Sequence, residues 1–418
     1  MPSSPLEVTT LHNGLRVAVA PSDSPGVALN LWYDVGSVDE SPTRTGFAHL
    51  FEHLMFQGSA NVAPGEHMAL IEAMGGTVNA TTSSERTNYF ETVPPGGLEL
   101  ALWLEADRLA SLAITDENFE AQREVVKEEK RERYDNQPYG DLLQLIIEQH
   151  FPPEHPYGHL TIGSMQHLDE ASIDEVSAFF DAWYRPSNAK LVLTGPVSPD
   201  DGFKLAQKYF GDLPRLDPPA ERIKANVALH APSTLSVTRD VPYPLVYLSW
   251  PTSPAAADDQ PAIDLALTLL ADGHASRLHQ QLVKEEGVAQ EAHAIALTHR
   301  RAPSIAMIVI RPADAVSSKR AADVALEAVQ AFCEEGPTEA EFQRAVAQHE
   351  RSWLWQLSTA EGRADLFNEA WQIWGDPARV HGYLDSVLAL TPDDVRQAAA
   401  RWLRPDTTHQ LHYLPKEA

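Results

Sequence analysis

The chain has 418 residues, 43% of them apolar, with nine Trp and a formal net charge of -27 from 32 Lys+Arg against 59 Asp+Glu. That apolar fraction supplies ordinary cores and excludes a globally disordered chain. The acidic balance sets the chain against phosphate backbones, which excludes nucleic acid as a partner and disfavours anionic membrane surfaces. A lone cysteine, Cys333, excludes a disulfide framework and a cysteine-based zinc ribbon within one chain.

The elements follow in chain order. Leu11 to Val19 reads as a strand with an Asn13-Gly14 turn near its start, and Val27 to Val35 as a second, apolar strand. Gly46 to Phe56 has helical spacing of apolar residues. Gly75-Gly76 breaks the chain before a β-prone stretch, Thr77 to Thr82, for which Asn88 to Val93 is the partnering strand. Leu98 to Ala110 reads as a helix and Thr115 to Tyr134 as a long one. No apolar run reaches the ~20 residues that span a bilayer. The opening Met1-Pro2-Ser3-Ser4-Pro5 has no basic or apolar leader character, so the sequence as it stands predicts a cytoplasmic protein. A periplasmic protein whose signal peptide is absent from this sequence would read the same way.

The two halves repeat one plan. Ser172-Ile173-Asp174-Glu175-Val176 opens a helix that ends in Trp183-Tyr184-Arg185-Pro186 and leads to a strand from Ala189 to Thr194. Thr391-Pro392-Asp393-Asp394-Val395 opens another, which ends in Trp402-Leu403-Arg404-Pro405 before a strand from His409 to Tyr413. The two caps lie 219 positions apart, about half the chain. Each helix opens on a hydroxyl with a carboxylate three residues on, and each stops at a Pro that cannot continue it. These shared features predict an internal duplication: an N-terminal domain over 1–212, a Pro-rich linker over 213–234 and a homologous C-terminal domain over 235–418. The expected fold class is α+β, two similar domains, each a mainly antiparallel sheet packed with helices.

Chemistry concentrates in His49-Leu50-Phe51-Glu52-His53. Residues four apart share a helix face, so His49 and His53 can offer imidazole nitrogens to one metal ion. Glu52 lies beside that face, where it can accept a proton from a metal-bound water. The pattern is H-x-x-E-H, the inverse of H-E-x-x-H. The bland alternative is a pair of hydrogen-bonded histidines on a half-buried helix. Glu129 on the long helix is a candidate third ligand; the plain alternative is that Glu128 to Arg133 is a solvated face. Gln122 lies two turns before Glu129 on the same helix face, placed to hydrogen-bond a water or a ligand there.

With these residues in hand, the chain resembles the inverzincin zinc peptidases that include pitrilysin, insulin-degrading enzyme and the mitochondrial processing peptidase. The resemblance rests on His49-Leu50-Phe51-Glu52-His53, on Glu129 76 residues after His53, on Gly75-Gly76-Thr77-Val78-Asn79-Ala80, on Tyr157 to Gly163 and on the duplication. The length is like that of the half-size branch. The resemblance implies a zinc-dependent endopeptidase with one Zn2+ per chain held by His49, His53 and Glu129, and with Glu52 as general base. It also implies that Thr77 to Thr82 is an edge strand on which a peptide substrate lies, with Asn79 and Ala80 as its contacts; an ordinary core hairpin is the plain alternative.

Two departures from the family pattern stand out. At Gln122 many relatives carry a glutamate, and a neutral amide cannot relay a proton at neutral pH. In the stretch Leu282 to Gln290, Val283 stands where active relatives have Arg, and Gln290 where they have Tyr. The chain therefore looks like the zinc-bearing member of a heterodimer, with a related chain supplying Arg and Tyr. The rival reading is a non-catalytic structural or peptide-binding subunit of a larger assembly.

The remaining candidates read as ordinary structure. His150 to His159 is expected as a loop near the site, His293 and His299 as strand or surface positions, and Trp353, Trp355, Trp371 and Trp374 as core.

Overall fold

The computed structural model describes residues 6–216 and 227–416. Its strands form two sheets. The first holds β1 (Glu7–Thr10), β2 (Arg16–Pro21), β3 (Val27–Tyr33), β4 (Thr77–Thr82), β5 (Thr87–Val93) and β6 (Ala189–Gly195), in the order β1-β2-β6-β3-β5-β4. The second holds β7 (Thr234–Arg239), β8 (Leu245–Thr252), β9 (Ala289–Leu297), β10 (Ser304–Pro312) and β11 (His409–Pro415), in the order β7-β11-β8-β10-β9. Each sheet has one parallel pair, β2 with β6 and β7 with β11, and is otherwise antiparallel. The α+β class and the mainly antiparallel duplicated sheets are as expected.

The repeated caps are present in both halves. Ser172 and Glu175 form a reciprocal capping box on the helix Ile173–Trp183, and Thr391 and Asp394 form one on the helix Pro392–Trp402. Both helices are followed by a short turn opening on Pro186 or Pro405 and then by β6 or β11. β3 and β6 are buried along their whole length, which is why they read as near-continuous apolar runs. β4 lies at the sheet edge and is half open to solvent.

The chain forms two compact units that are not contiguous in sequence. The first comprises Met1–Glu132, His159–Lys224 and Leu354–His381, and the second Arg133–Gly158, Ala225–Trp353 and Gly382–Ala418. The expected halves, 1–212 and 235–418, therefore each give up a segment to the other's unit. Of the expected linker, residues 217–226 lie outside the described residues, and β7 already begins at its last position, Thr234.

The exchanged pieces are equivalent helices, Leu142–His150 and Ala360–Trp374, whose starts are 218 positions apart, nearly the offset of the caps. Each is bonded into its host sheet. Gln149 Nε2 donates to the Gln410 carbonyl, and His150 Nε2 lies 2.9 Å from Ser249 Oγ. Thr194 Oγ1 donates to the Ala360 carbonyl, and Asn368 Nδ2 to the Asn30 carbonyl. The segment His150 to Gly158, expected beside the site, thus belongs to the second unit. There His299, expected as a strand or surface position, is buried 4.5 Å from the Tyr157 ring. Trp371 is core, whereas Trp355 is 75% exposed and packs no core.

The second unit buries a histidine cluster. The His150 ring sits 4.2 Å from the His409 ring. Burial, aided by neighbouring histidines, pushes His150 down to about 3 and His409 down to about 4. The unfolded chain takes up these protons near the ordinary ~6.5, whereas the folded chain resists them. Stability contributed by the neutral imidazoles is therefore present above that value and is lost as pH falls toward 4 and 3. The urea midpoint should drop between about pH 7 and pH 5, and a His150→Gln variant should lose less over the same interval.

Candidate metal centre

The helix Phe47–Leu54 has no side-chain cap of its own. It begins at Gly46, whose φ of +99° is left-handed, and a Cβ there would stand 2.8 Å from the Ile162 carbonyl oxygen. Only glycine meets both demands. The first turn is satisfied from six residues upstream. Glu40 Oε2 accepts from the Gly46 N–H at 2.8 Å and Glu40 Oε1 from the Ala48 N–H at 2.6 Å. Burial raises the Glu40 pKa, and the N–H donors and the helix N-terminus oppose that rise.

One face of this helix is core. Phe47, Leu50, Phe51 and Leu54 are buried, and Phe51 stacks on Phe179 at 5.5 Å and Phe180 at 5.8 Å. The apolar pattern thereby turns His49, Glu52 and His53 toward the opposite side. Glu129 comes from the helix Asp116–Lys130, which opens on a Thr115–Asn118 capping box and buries Phe119, Val126 and Lys130.

The structure brings His49, His53 and Glu129 together, with one donor atom of each inside a 4.8 Å sphere of mutual separation. His53 Nε2 lies 3.3 Å and His49 Nε2 3.7 Å from Glu129 Oε2. Ligands 2.0–2.1 Å from a tetrahedral ion stand about 3.3 Å apart, so the donor set fits Zn2+ in both chemistry and spacing. Glu52 is adjacent. Burial pushes its carboxyl above the ordinary range, against the hydrogen bond from Thr82 and the nearby His53. Gln122 is half-buried two turns before Glu129. Asn79 and Ala80 lie on β4, the edge of the same unit's sheet, with Asn79 exposed and Ala80 buried.

A second group of metal-ligating side chains is buried in this unit. His67, Glu91 and Glu105 also converge within 4.8 Å. His67 Nε2 is 2.6 Å from Glu91 Oε1, while the Arg108 guanidinium binds Glu105 through Nε at 3.1 Å and also through NH2. The Arg108 guanidinium already supplies a cation beside Glu105, so the group reads as a buried polar network, in which Glu91 Oε2 and Arg108 NH1 find no hydrogen-bond partner among the described residues. Burial pushes Glu91 and Glu105 up to about 7 and His67 down to about 3.

Two side chains important to the geometry were not singled out from the sequence. Glu40 carried no local signal beyond the missing cap at Gly46. Thr82 fell inside the β4 stretch without a role, yet its hydroxyl donates to Glu52 Oε2 at 2.6 Å.

The fold and this centre define a duplicated α+β chain with, among the described residues, a His-His-Glu donor set on its first half. Residues 16–155 match the model of insulinase, peptidase family M16, and residues 170–349 match that of the peptidase M16 inactive domain. A zinc protease, PqqE, of Helicobacter pylori is 31% identical over 68% of this chain and 65% of its own length. The chain thus spans just under two thirds of that relative. The beta subunit of the mitochondrial-processing peptidase of Caenorhabditis elegans is 26% identical over 63% of this chain and 57% of its own. A crystal structure of a protease from Helicobacter pylori superposes with a TM-score of 0.91 at 25% identity, covering 99% of this chain and 100% of that one. The chain belongs to peptidase family M16.

Replacing Glu40 by Gln leaves one oxygen to accept and turns an N–H donor toward a helix N–H. Glu40→Gln should cost about 1–3 kcal/mol by urea unfolding, more than a typical surface substitution.

Proposed function

We propose that this chain is the zinc-bearing subunit of a metalloendopeptidase that cuts peptides or unfolded segments inside a chamber closed by a second chain. The observation that carries this reading is the meeting of His49, His53 and Glu129 at tetrahedral-edge spacing with Glu52 beside them. Kinship with proteins named zinc proteases supports it.

His49, His53 and Glu129 would hold one Zn2+ and leave a fourth position open, as catalytic sites do. When bound, the ion supplies a Lewis acid for the scissile carbonyl and lowers the pKa of a water. Glu52 takes the proton of the attacking water and hands it to the leaving amine. Gln122 contributes a hydrogen bond and no proton transfer.

The substrate backbone lies along β4. Its outer edge is masked at one point, where the Ala80 N–H donates to Asn79 Oδ1 at 2.8 Å. An extended peptide takes over that N–H with its own carbonyl, and main-chain pairing of this kind reads shape more than side chains.

At the two positions where active relatives carry Arg and Tyr, the second half offers neither. Val283 packs against the apolar core of its unit, and Gln290 Nε2 donates to Asp314 Oδ1 at 3.1 Å. A related chain without the zinc motif supplies the Arg and Tyr. The rival, a structural or peptide-binding subunit, would carry no turnover. Among the described residues no helix is long and apolar enough to cross a membrane.

The purified chain should contain about one zinc per chain, and its complex with the partner should lose cleavage on chelation and regain it with Zn2+. Glu52→Gln should keep zinc and peptide affinity while the cleavage rate falls by roughly 10²–10⁴. A peptide-cleavage assay with and without the chain recovered in a pull-down tests the partner. Full rate from the isolated chain would sink the heterodimer, and zinc without any cleavage in the recovered complex would favour the rival.

A further inference from the structure

The metal-facing helix and the edge strand are joined by one short hydrogen bond between side chains, from Thr82 Oγ1 to Glu52 Oε2 at 2.6 Å. We propose that Thr82 is a positioning residue for Glu52: its hydroxyl holds one carboxylate oxygen so that Oε1 is turned to the water, and it ties that orientation to the strand on which the peptide lies. This rests on the reading of Glu52 as the general base.

The donor is itself firmly placed. Thr82 is β-branched, so few χ1 states are open to it, and it is the last residue of β4, opposite Thr87. The turn beyond it is closed by the Ser83 N–H on the Arg86 carbonyl at 2.8 Å and by the Arg86 N–H on Ser83 Oγ at 3.2 Å. Arg86 NH1 reaches back to the Thr81 carbonyl at 3.0 Å, and its guanidinium lies 4.8 Å from the Trp32 ring centroid.

The same turn is docked on the loop that leads to the metal-facing helix. The Ser37 N–H donates to the Ser83 carbonyl at 3.3 Å and the Val38 N–H to the Ser84 carbonyl at 2.9 Å. A Cβ on Gly36 would stand 2.5 Å from those backbone atoms, so only glycine lets the loop and turn meet. Two residues past Val38 lies Glu40, which holds the first turn of the helix that carries Glu52. Donor and acceptor are thus referenced to one loop, and the bond between them is fixed from both sides.

A carboxylate with one oxygen anchored has lost the rotation that would carry the other away from the water, and misplacement of a reacting group by about 1 Å can cost 10²-fold in rate. Peptide pairing with β4 then stiffens the strand that holds the base in place.

The test uses the chain together with any partner it assembles with, an internally quenched fluorogenic peptide, and the variants Thr82→Val and Thr82→Ser. Thr82→Val keeps the shape and removes the donor. We expect its kcat to fall by roughly 10–100-fold with KM and zinc content near wild type. Thr82→Ser should restore most of the rate. In a Glu52→Gln background, Thr82→Val should add little further loss, because both changes act through the same carboxylate. Wild-type kcat in Thr82→Val, a loss confined to KM, or failure of Thr82→Ser to recover the rate would overturn the proposal and leave Glu52 as base untouched. Absence of cleavage by the wild-type complex would overturn the underlying reading and this proposal with it.

Discussion

A helix of eight residues does not form alone in water, because nucleation costs more than so few hydrogen bonds return. The one that carries His49, Glu52 and His53 exists because its apolar face is pressed onto Phe179 and Phe180 and because the carboxylate of Glu40 takes its first N–H groups. Orientation about the helix axis follows from the packing, and position along the axis from Glu40. Without both, two imidazoles on one turn would have no fixed place at which to meet Glu129 from another helix.

The duplication has left the two copies with different duties. β4 and β9 occupy the same place at the edge of their sheets, yet among the described residues the donor set lies in the first copy. In the second copy the helix in the place of Phe47–Leu54 is Gln260–Ala271, which carries no histidine and is buried along most of its length.

Much of this could be read in the residues. His49 and His53 are legible because four-residue spacing is a property of any helix, whereas Glu129 is picked out only by the family resemblance, its own run from Glu128 to Arg133 reading equally as a solvated face. The repeated caps disclosed the duplication because a capping box is written within four residues. What could not be read is what depends on segments far apart. Glu40 reaches a helix across a loop, Thr82 reaches Glu52 across 30 positions, and His299 is buried by aromatic neighbours from another segment. Trp355 carries the residue type of a core without the environment of one. The exchange of helices between units has no local signature, since each exchanged helix is amphipathic wherever it docks.

That exchange has a consequence for biosynthesis. β3 and β6 are complete by Gly195, but the helix bonded to them spans Ala360–Trp374. Domains commonly fold in order as they leave the ribosome, at about 5–20 residues per second. Here the helix that covers the first sheet emerges only after about three quarters of the second half, residues 235–374 of 235–418, has been made. Until then its apolar strands lack that cover, and the second unit, which needs β11, is completed later still.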